Sequence, residues 1–381
     1  MRLELKDRMV SDIRGKVHII LALSIACIAC IACTIMGCGI TSQEGETNIT
    51  DLSAGNIEEE ASQEASSSLE GQLTQDNLIQ LQYTEQKVVV PALSKDYQLL
   101  FITDSHVVIS SENDSEEQKA YANERRELFL FPNATEEKKL GGDSSDAEAS
   151  NAKASAGITS DITFDRMLSN IPEDIDVLAL GGDIIDSPSD SELKYLKNEL
   201  SKVAIPYAYT MGNHDWTFPW DYMTENCYSQ NRGLLNDYMD NNPTVHALDM
   251  GEFIILSVDN SQNQFDAEAL YHFNEYMEQD KPVIMLIHVP LVTDTILEKA
   301  TAVWSSPTVL GGGNSGGIYL NDISAEFYNK ITAKDSPVCL ILAGHIHLED
   351  INYVHGEKDV LQIVSAPGFE GRGVKVTLAC E

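Results

Sequence analysis

Residues 341–350 read ILAGHIHLED: an apolar run closes on Gly344, and His345 and His347 then follow at alternate positions. The run has the length and composition of a buried strand. Glycine lets the backbone turn sharply at its end, and two imidazoles one residue apart can reach toward one point. Alone this is a weak metal-site pattern. Its meaning depends on whether other strands of the chain end in complementary donors.

Seven more segments share the signature of a short apolar, often β-branched run closed by a turn-forming or polar residue. They are KVVVPAL, YQLLFITD, IDVLALGGD, IPYAYTMGN, EFIILSVDN, KPVIMLIHV and DVLQIVSA, beside PVCLILAGH itself. Between them SELKYLKNELSKV, FDAEALYHFNEYMEQ and NDISAEFYNKITA carry helical periodicity. Strands alternating with helices predict an α/β domain, here over residues 87–381. Residues 107–160 interrupt the rhythm with a connection far longer than usual. Its EEQKAYANERRELFLF predicts a helix, and a low-complexity insertion follows at about 131–160. The FLF at the junction either packs on the core or hangs over the site.

The strand ends carry the chemistry. Asp104-Ser105-His106 follows YQLLFIT, and Gly181-Gly182-Asp183-Ile184-Ile185-Asp186 follows IDVLAL. Gly212-Asn213-His214-Asp215 follows IPYAYTM, His288 follows KPVIMLI, and Gly344-His345-Ile346-His347 follows PVCLILA. In α/β sheets, sites form at the carboxyl ends of strands. Imidazole, carboxylate and carboxamide donors without cysteine suit Zn, Fe, Mn or related ions rather than Ca. The donors suffice for two ions sharing one carboxylate, an arrangement that clamps both oxygens of a phosphoester displacement.

The ordered set DxH, GDxxD, GNHD, H and GHxH resembles the calcineurin-like metallophosphoesterase superfamily over roughly residues 97–350. The resemblance implies a four-layer α/β/β/α sandwich, two mixed β-sheets flanked by helices. It implies a first divalent ion on Asp104, His106, Asp183 and His347. Asp183 then bridges to a second ion completed by Asn213, His288 and His345, the metals being Mn, Zn, Fe or Mg. In the family pattern His214 is not a ligand: it protonates the leaving alkoxide, oriented by Asp186, while a metal-bridging hydroxide attacks. Asp215 either supports the ligands or caps a turn. Ser187 stands where protein Ser/Thr phosphatases carry arginine, and Asp186 where purple acid phosphatases carry tyrosine, so neither branch fits. The implied substrate is a small phosphomonoester or phosphodiester. The alternative is a surface-anchored binding protein that keeps the fold with little turnover.

A net charge of -35 argues against nucleic-acid binding, which needs a basic footprint. At the N-terminus Arg2, Lys6, Arg8, Arg14 and Lys16 precede the uncharged HIILALSIACIACIACTIMGCG. A basic flank before an apolar core is the pattern of an export signal, and the run is about long enough to span a bilayer. Its end, Ile35-Met36-Gly37-Cys38, resembles a bacterial lipobox with Met36 in place of the usual small residue. Residues 1–38 are therefore read as a lipoprotein signal or an uncleaved membrane anchor, with simple secretion also open. The first two place the chain on the extracytoplasmic face of the cell membrane. Residues 39–86, rich in Ser and Glu, predict a flexible linker. Cys227, Cys339 and Cys380 form no CxxC pair; Cys339 predicts a buried thiol, and a Cys227–Cys380 disulfide stays open. DWTFPWDYM places Trp216, Phe218, Trp220 and Tyr222 after the GNHD motif, to pack the loop or line a pocket.

Overall fold

The structure, a computed structural model, describes residues 79–131, 157–278, 280–304, 308–313 and 317–380. The readings of residues 1–78 as signal, anchor and linker, and of the low-complexity stretch 132–156, lie outside the described residues. Among the described residues no helix is long and apolar enough to cross a membrane.

The strands are β1 (Gln82–Val89), β2 (Tyr97–Ile102), β3 (Val177–Leu180), β4 (Tyr207–Tyr209), β5 (Val245–Asp249) and β6 (Ile254–Val258). They continue as β7 (Val283–Leu286), β8 (Val338–Ala343), β9 (Asp350–Val354), β10 (Val360–Val364) and β11 (Arg372–Ala379). The helices are α1 (Glu116–Arg126), α2 (Ser160–Ser169), α3 (Asp190–Leu200), α4 (Glu225–Asn231), α5 (Ala267–Met277), α6 (Ile296–Val303) and α7 (Asp322–Ile331). All eight predicted strands and all four predicted helices are present. β1 starts at Gln82 rather than Lys87, and β5, β9, β11, α2, α4 and α6 were not legible in the sequence.

The strands form two mixed sheets, ordered β1-β11-β2-β3-β4 and β5-β6-β7-β8-β10-β9. Strands β2, β3 and β4 run parallel to one another, as do β6, β7, β8 and β10. A strand's side chains alternate between faces, and here both faces are covered, which explains the nearly unbroken apolar runs. Leu99, Phe101, Val177 and Ala179 of the first sheet meet Ile284, Leu286, Leu340 and Leu342 of the second in a core between the sheets. The alternate residues Leu100, Ile102, Leu178 and Leu180 pack outward on Phe164 and Met167 of α2 and Leu196 of α3. Behind the second sheet, Leu256, Met285 and Ile341 pack with Phe273 of α5, Ile296 of α6 and Phe327 of α7. The result is the four-layer α/β/β/α sandwich.

Capping fixes where the helices begin. The Ser189, Asp266 and Asn321 side chains accept from the third helical amide of α3, α5 and α7. Helix α1 opens on a reciprocal capping box between Ser115 and Gln118. Cys227, Cys339 and Cys380 are free thiols, so the Cys227–Cys380 bridge is not formed. Burial pushes the Cys339 thiol up to about 12, as befits an inert core cysteine.

Candidate metal centre

The donors singled out in the sequence come together at one edge of the sandwich. β2, β3 and β4 supply Asp104, His106, Asp183, Asp186, Asn213 and His214 from the first sheet; β7 and β8 supply His288, His345 and His347 from the second. Asp104, His106 and His347 bring one ligand atom each within 4.8 Å of one another, and so do Asp183, His288 and His345. Asp183 stands between these groups. Its Oδ2 lies 3.2 Å from His288 Nε2 and 3.8 Å from His106 Nε2.

The backbone reaches this arrangement under strain. Asp104, His106, Asp183, His345 and His347 all have positive φ, between 41° and 74°. Each such non-glycine residue costs on the order of 1 kcal/mol or more, and it persists only where the surroundings over-determine it. The turn at the end of β8 is therefore made by the two histidines, and Gly344, expected to make it, has no positive φ. Gly344 is needed for a different reason: a Cβ there would collide with the Thr103 side chain and the Asp104 carboxylate. At Gly212 a Cβ would likewise strike Asp183. Both glycines let a strand end approach a donor on its neighbour.

Hydrogen bonds settle which nitrogens are bare. Asp186 Oδ1 can only accept, so His106 Nδ1, 2.8 Å away, carries its proton and Nε2 is left with a lone pair. That nitrogen is 2.9 Å from His347 Nε2. His288 Nδ1 donates to the Gly181 carbonyl at 2.9 Å, so Nε2 is the nitrogen it turns toward Asp183 Oδ2, 3.2 Å from His345 Nδ1. Each of these close pairs needs a proton or a metal ion between its two atoms. Asn213 Nδ2 donates to the Tyr222 hydroxyl at 3.1 Å, while the buried Asn213 Oδ1 has no hydrogen-bond partner in the protein. A buried carbonyl oxygen without a partner is costly, and a metal ion would satisfy it. The donor set thus fits divalent metal on observations independent of the motif.

The electrostatics agree. Burial acts to raise the Asp183 carboxyl, but His288, His214 and His106 together hold it well below the usual carboxylate range. For Asp104, burial is likewise outweighed by His347 and His288. Burial pushes His106 down to about 4 and His345 to about 3, which keeps both neutral and able to ligate. Burial would lower His288 too, yet the Asp183 and Asp104 charges raise it to about 9. That proton occupies the position where a cation is demanded.

His214 lies within the same 4.8 Å of His106 and Asp183. Its backbone N–H donates to Asp183 Oδ1 at 2.7 Å, and its Nδ1 lies between two Asp186 oxygens, the backbone carbonyl at 3.3 Å and the carboxylate Oδ1 at 3.2 Å. The side chain is 19% exposed, whereas His106 is 1% exposed. Burial lowers His214, but the Asp183 and Asp186 charges carry it above its ordinary value. Asp215 is a support rather than a simple turn cap. It accepts from the backbone N–H groups of Asp183, Ile184, Ile185 and Gly212 at 2.8–3.2 Å.

Asn260, Arg125 and Tyr121 escaped the sequence reading, whereas Phe129 belongs to the FLF expected to reach the core or the site. Asn260, at the end of β6, accepts from the His288 and Val289 amides and donates to the Val289 carbonyl, fixing the backbone at His288. Its signal was the asparagine ending EFIILSVDN. Arg125 and Tyr121 of α1, and Phe129 just beyond it, come from the insertion. Arg125 donates to both oxygens of Asp186, at 2.8 and 3.0 Å. Phe129 stacks on His106, with centroids 4.3 Å apart and planes 7° apart. Burial and the Asp186 charge push the Tyr121 hydroxyl well up. Of the aromatics after GNHD, Trp216 is core and donates to Ser261 Oγ, while Trp220 and Tyr222 are exposed.

A family model described as calcineurin-like phosphoesterase matches residues 97–349. The chain belongs to that family of metal-dependent phosphoesterases. Among solved structures it is similar to a dimetal phosphatase from Danio rerio, 13% identical, with a TM-score of 0.37 over 72% of this chain and 88% of that one. None of the curated proteins compared matches the sequence.

Proposed function

We propose that the chain is an exported, membrane-tethered phosphoesterase that hydrolyses a small phosphomonoester or phosphodiester with two divalent ions. One observation carries the catalytic part: the Asp183 carboxylate facing both donor groups at once, at 3.8 and 3.2 Å, with His214 at their edge. Asp104, His106, Asp183 and His347 would hold one ion, and Asp183, Asn213, His288 and His345 the other. Such a pair polarises the phosphoryl oxygens and lowers the pKa of a water. The protein's own contribution is then to hold the donors rigid and to manage one proton. Asp186 fixes His214 through Nδ1, so the opposite nitrogen can carry a proton to the leaving oxygen. Pure binding needs no such donor, which weighs against a surface-anchored binding protein. Export and tethering rest on the basic flank and apolar run of residues 1–38.

The test loads the purified chain separately with Mn, Zn, Fe or Mg. It then compares p-nitrophenyl phosphate with bis-p-nitrophenyl phosphate. Hydrolysis should require metal and disappear in Asp183→Asn, and the preferred ester decides between monoesterase and diesterase. Two ions bound without hydrolysis of either ester would return the chain to the binding-protein reading. For the tether, Cys38→Ala should abolish incorporation of a labelled lipid; an unlabelled wild-type chain in the membrane fraction would instead indicate a spanning anchor.

A further inference from the structure

We infer that Arg125, on the insertion helix α1, is a positioning residue for the proton donor: it locks the Asp186 carboxylate in the orientation that ties it to His214. The inference rests on the reading of His214 as the group that protonates the leaving oxygen.

Asp186 is fully buried. Its Oδ1 faces His106 Nδ1 at 2.8 Å, Arg125 Nη2 at 3.0 Å and His214 Nδ1 at 3.2 Å, and its Oδ2 accepts from Arg125 Nε at 2.8 Å. Arg125 therefore reaches both oxygens. A two-point guanidinium fork fixes the plane of a carboxylate, which a single-point donor cannot do. The guanidinium is itself held, its carbon 4.8 Å from the Phe129 ring centroid and 5.7 Å from that of Tyr121. Phe129 in turn stacks on His106, whose Nδ1 returns to Asp186. Arg125, Phe129, His106 and Asp186 form a closed circuit in which each group fixes the next.

His106 makes the shorter of the two imidazole contacts to Asp186. With Arg125 removed, Oδ2 loses that donor, and the carboxylate is free to turn about its bond to His106. The contact that suffers is the carboxylate's to His214, which then keeps only the neutral Asp186 backbone carbonyl, 3.3 Å from Nδ1, and loses the charge that holds its proton. The loss should fall on proton delivery and spare the holding of ions.

Leaving-group dependence separates those roles. p-Nitrophenolate departs without a proton, whereas an alkoxide needs one. The experiment uses the metal-loaded full chain, wild type beside Arg125→Gln, Arg125→Lys and Arg125→Ala, on p-nitrophenyl phosphate and on a simple alkyl phosphate. Arg125→Gln should keep two ions per chain and lose about 100-fold in kcat on the alkyl ester, the scale of general acid catalysis. On the p-nitrophenyl ester it should lose only a few-fold, with KM little changed. Arg125→Lys should recover part of the alkyl activity, and added guanidinium should recover part of it in Arg125→Ala. Equal losses on both esters, or loss of bound ions, would overturn this inference while leaving the phosphoesterase reading intact. If the wild type prefers diesters, the same pair is run as the p-nitrophenyl and alkyl diesters; a wild-type chain that hydrolyses neither monoesters nor diesters would overturn both.

Discussion

Asp215 shows how much a single side chain carries without touching the reacting atoms. Its two oxygens gather four backbone N–H groups from the β3 and β4 ends, and so they set the strained turn that aims Asp183. Burial and the Asp183 charge raise its carboxyl to about 7, against the pull of those amides. Asp215→Asn turns an NH2 group toward N–H donors and strands some of them. It should cost about 2–4 kcal/mol of stability, from hydrogen bonds to a charged acceptor, and weaken metal binding about 10- to 100-fold as outer-sphere changes do. Urea unfolding and metal titration check both, and an unchanged midpoint would refute the support role. Gly344→Ala makes a different demand. The added methyl group must displace Asp104 or Thr103, so metal affinity should fall by a similar factor while far-UV circular dichroism stays native.

Most of the strands that were legible in the sequence are buried on both faces, the part-exposed edge strand β1 being found only through its KVVV. VLAL of β3 and VIML of β7 are fully buried, and such runs carry a clear signal even at four residues. β5 and β9, the two edges of the six-stranded sheet, have part-exposed residues in VHALD and DINYV and lack that signal. β11 was hidden because it opens amid the glycines of GFEGRGV, and Gly371 does adopt a left-handed conformation just before the strand. The site was legible for the same reason as the strands: each donor sits at a fixed offset from a strand end. Arg125 was not, because its partner Asp186 is 61 residues away along the chain, and EEQKAYANERR by itself reads as an exposed charged helix. The FLF that follows α1 does pack onto the site, through Phe129, which is 5% exposed. Phe129→Ala should cost about 3 kcal/mol, the lower range for removing a buried phenylalanine, and should loosen His106. Denaturant unfolding with and without metal measures it: a stability loss with unchanged metal affinity would show that the ring only fills space.

Over the whole molecule, acid stability should depend on a residue distant from this chemistry in the sequence. His246 in β5 is 7% exposed, and its Nδ1 has no hydrogen-bond partner. Burial lowers it from 6.5 to about 4, with Asp240 pulling the other way. Between those values the unfolded chain binds the proton and the folded chain does not, so stability falls as pH drops from 6.5 toward 4. The full effect is about 3 kcal/mol for a shift of this size. His246→Leu should flatten that part of the pH–stability curve, and an unchanged slope would assign the acid sensitivity elsewhere.

The position of the donors along the chain also bears on how the protein is made. Asp104, Asp183 and Asn213 lie in the first half of the folded region, whereas His288, His345 and His347 lie beyond β7, the last of them only a few residues ahead of β9. A ribosome that has not yet passed residue 345 has produced neither donor group in full. The proposed ions would then be taken from whatever fluid surrounds the finished chain as it folds. Under the export proposed above, any metal bound would record the compartment where folding ended rather than the one where synthesis began.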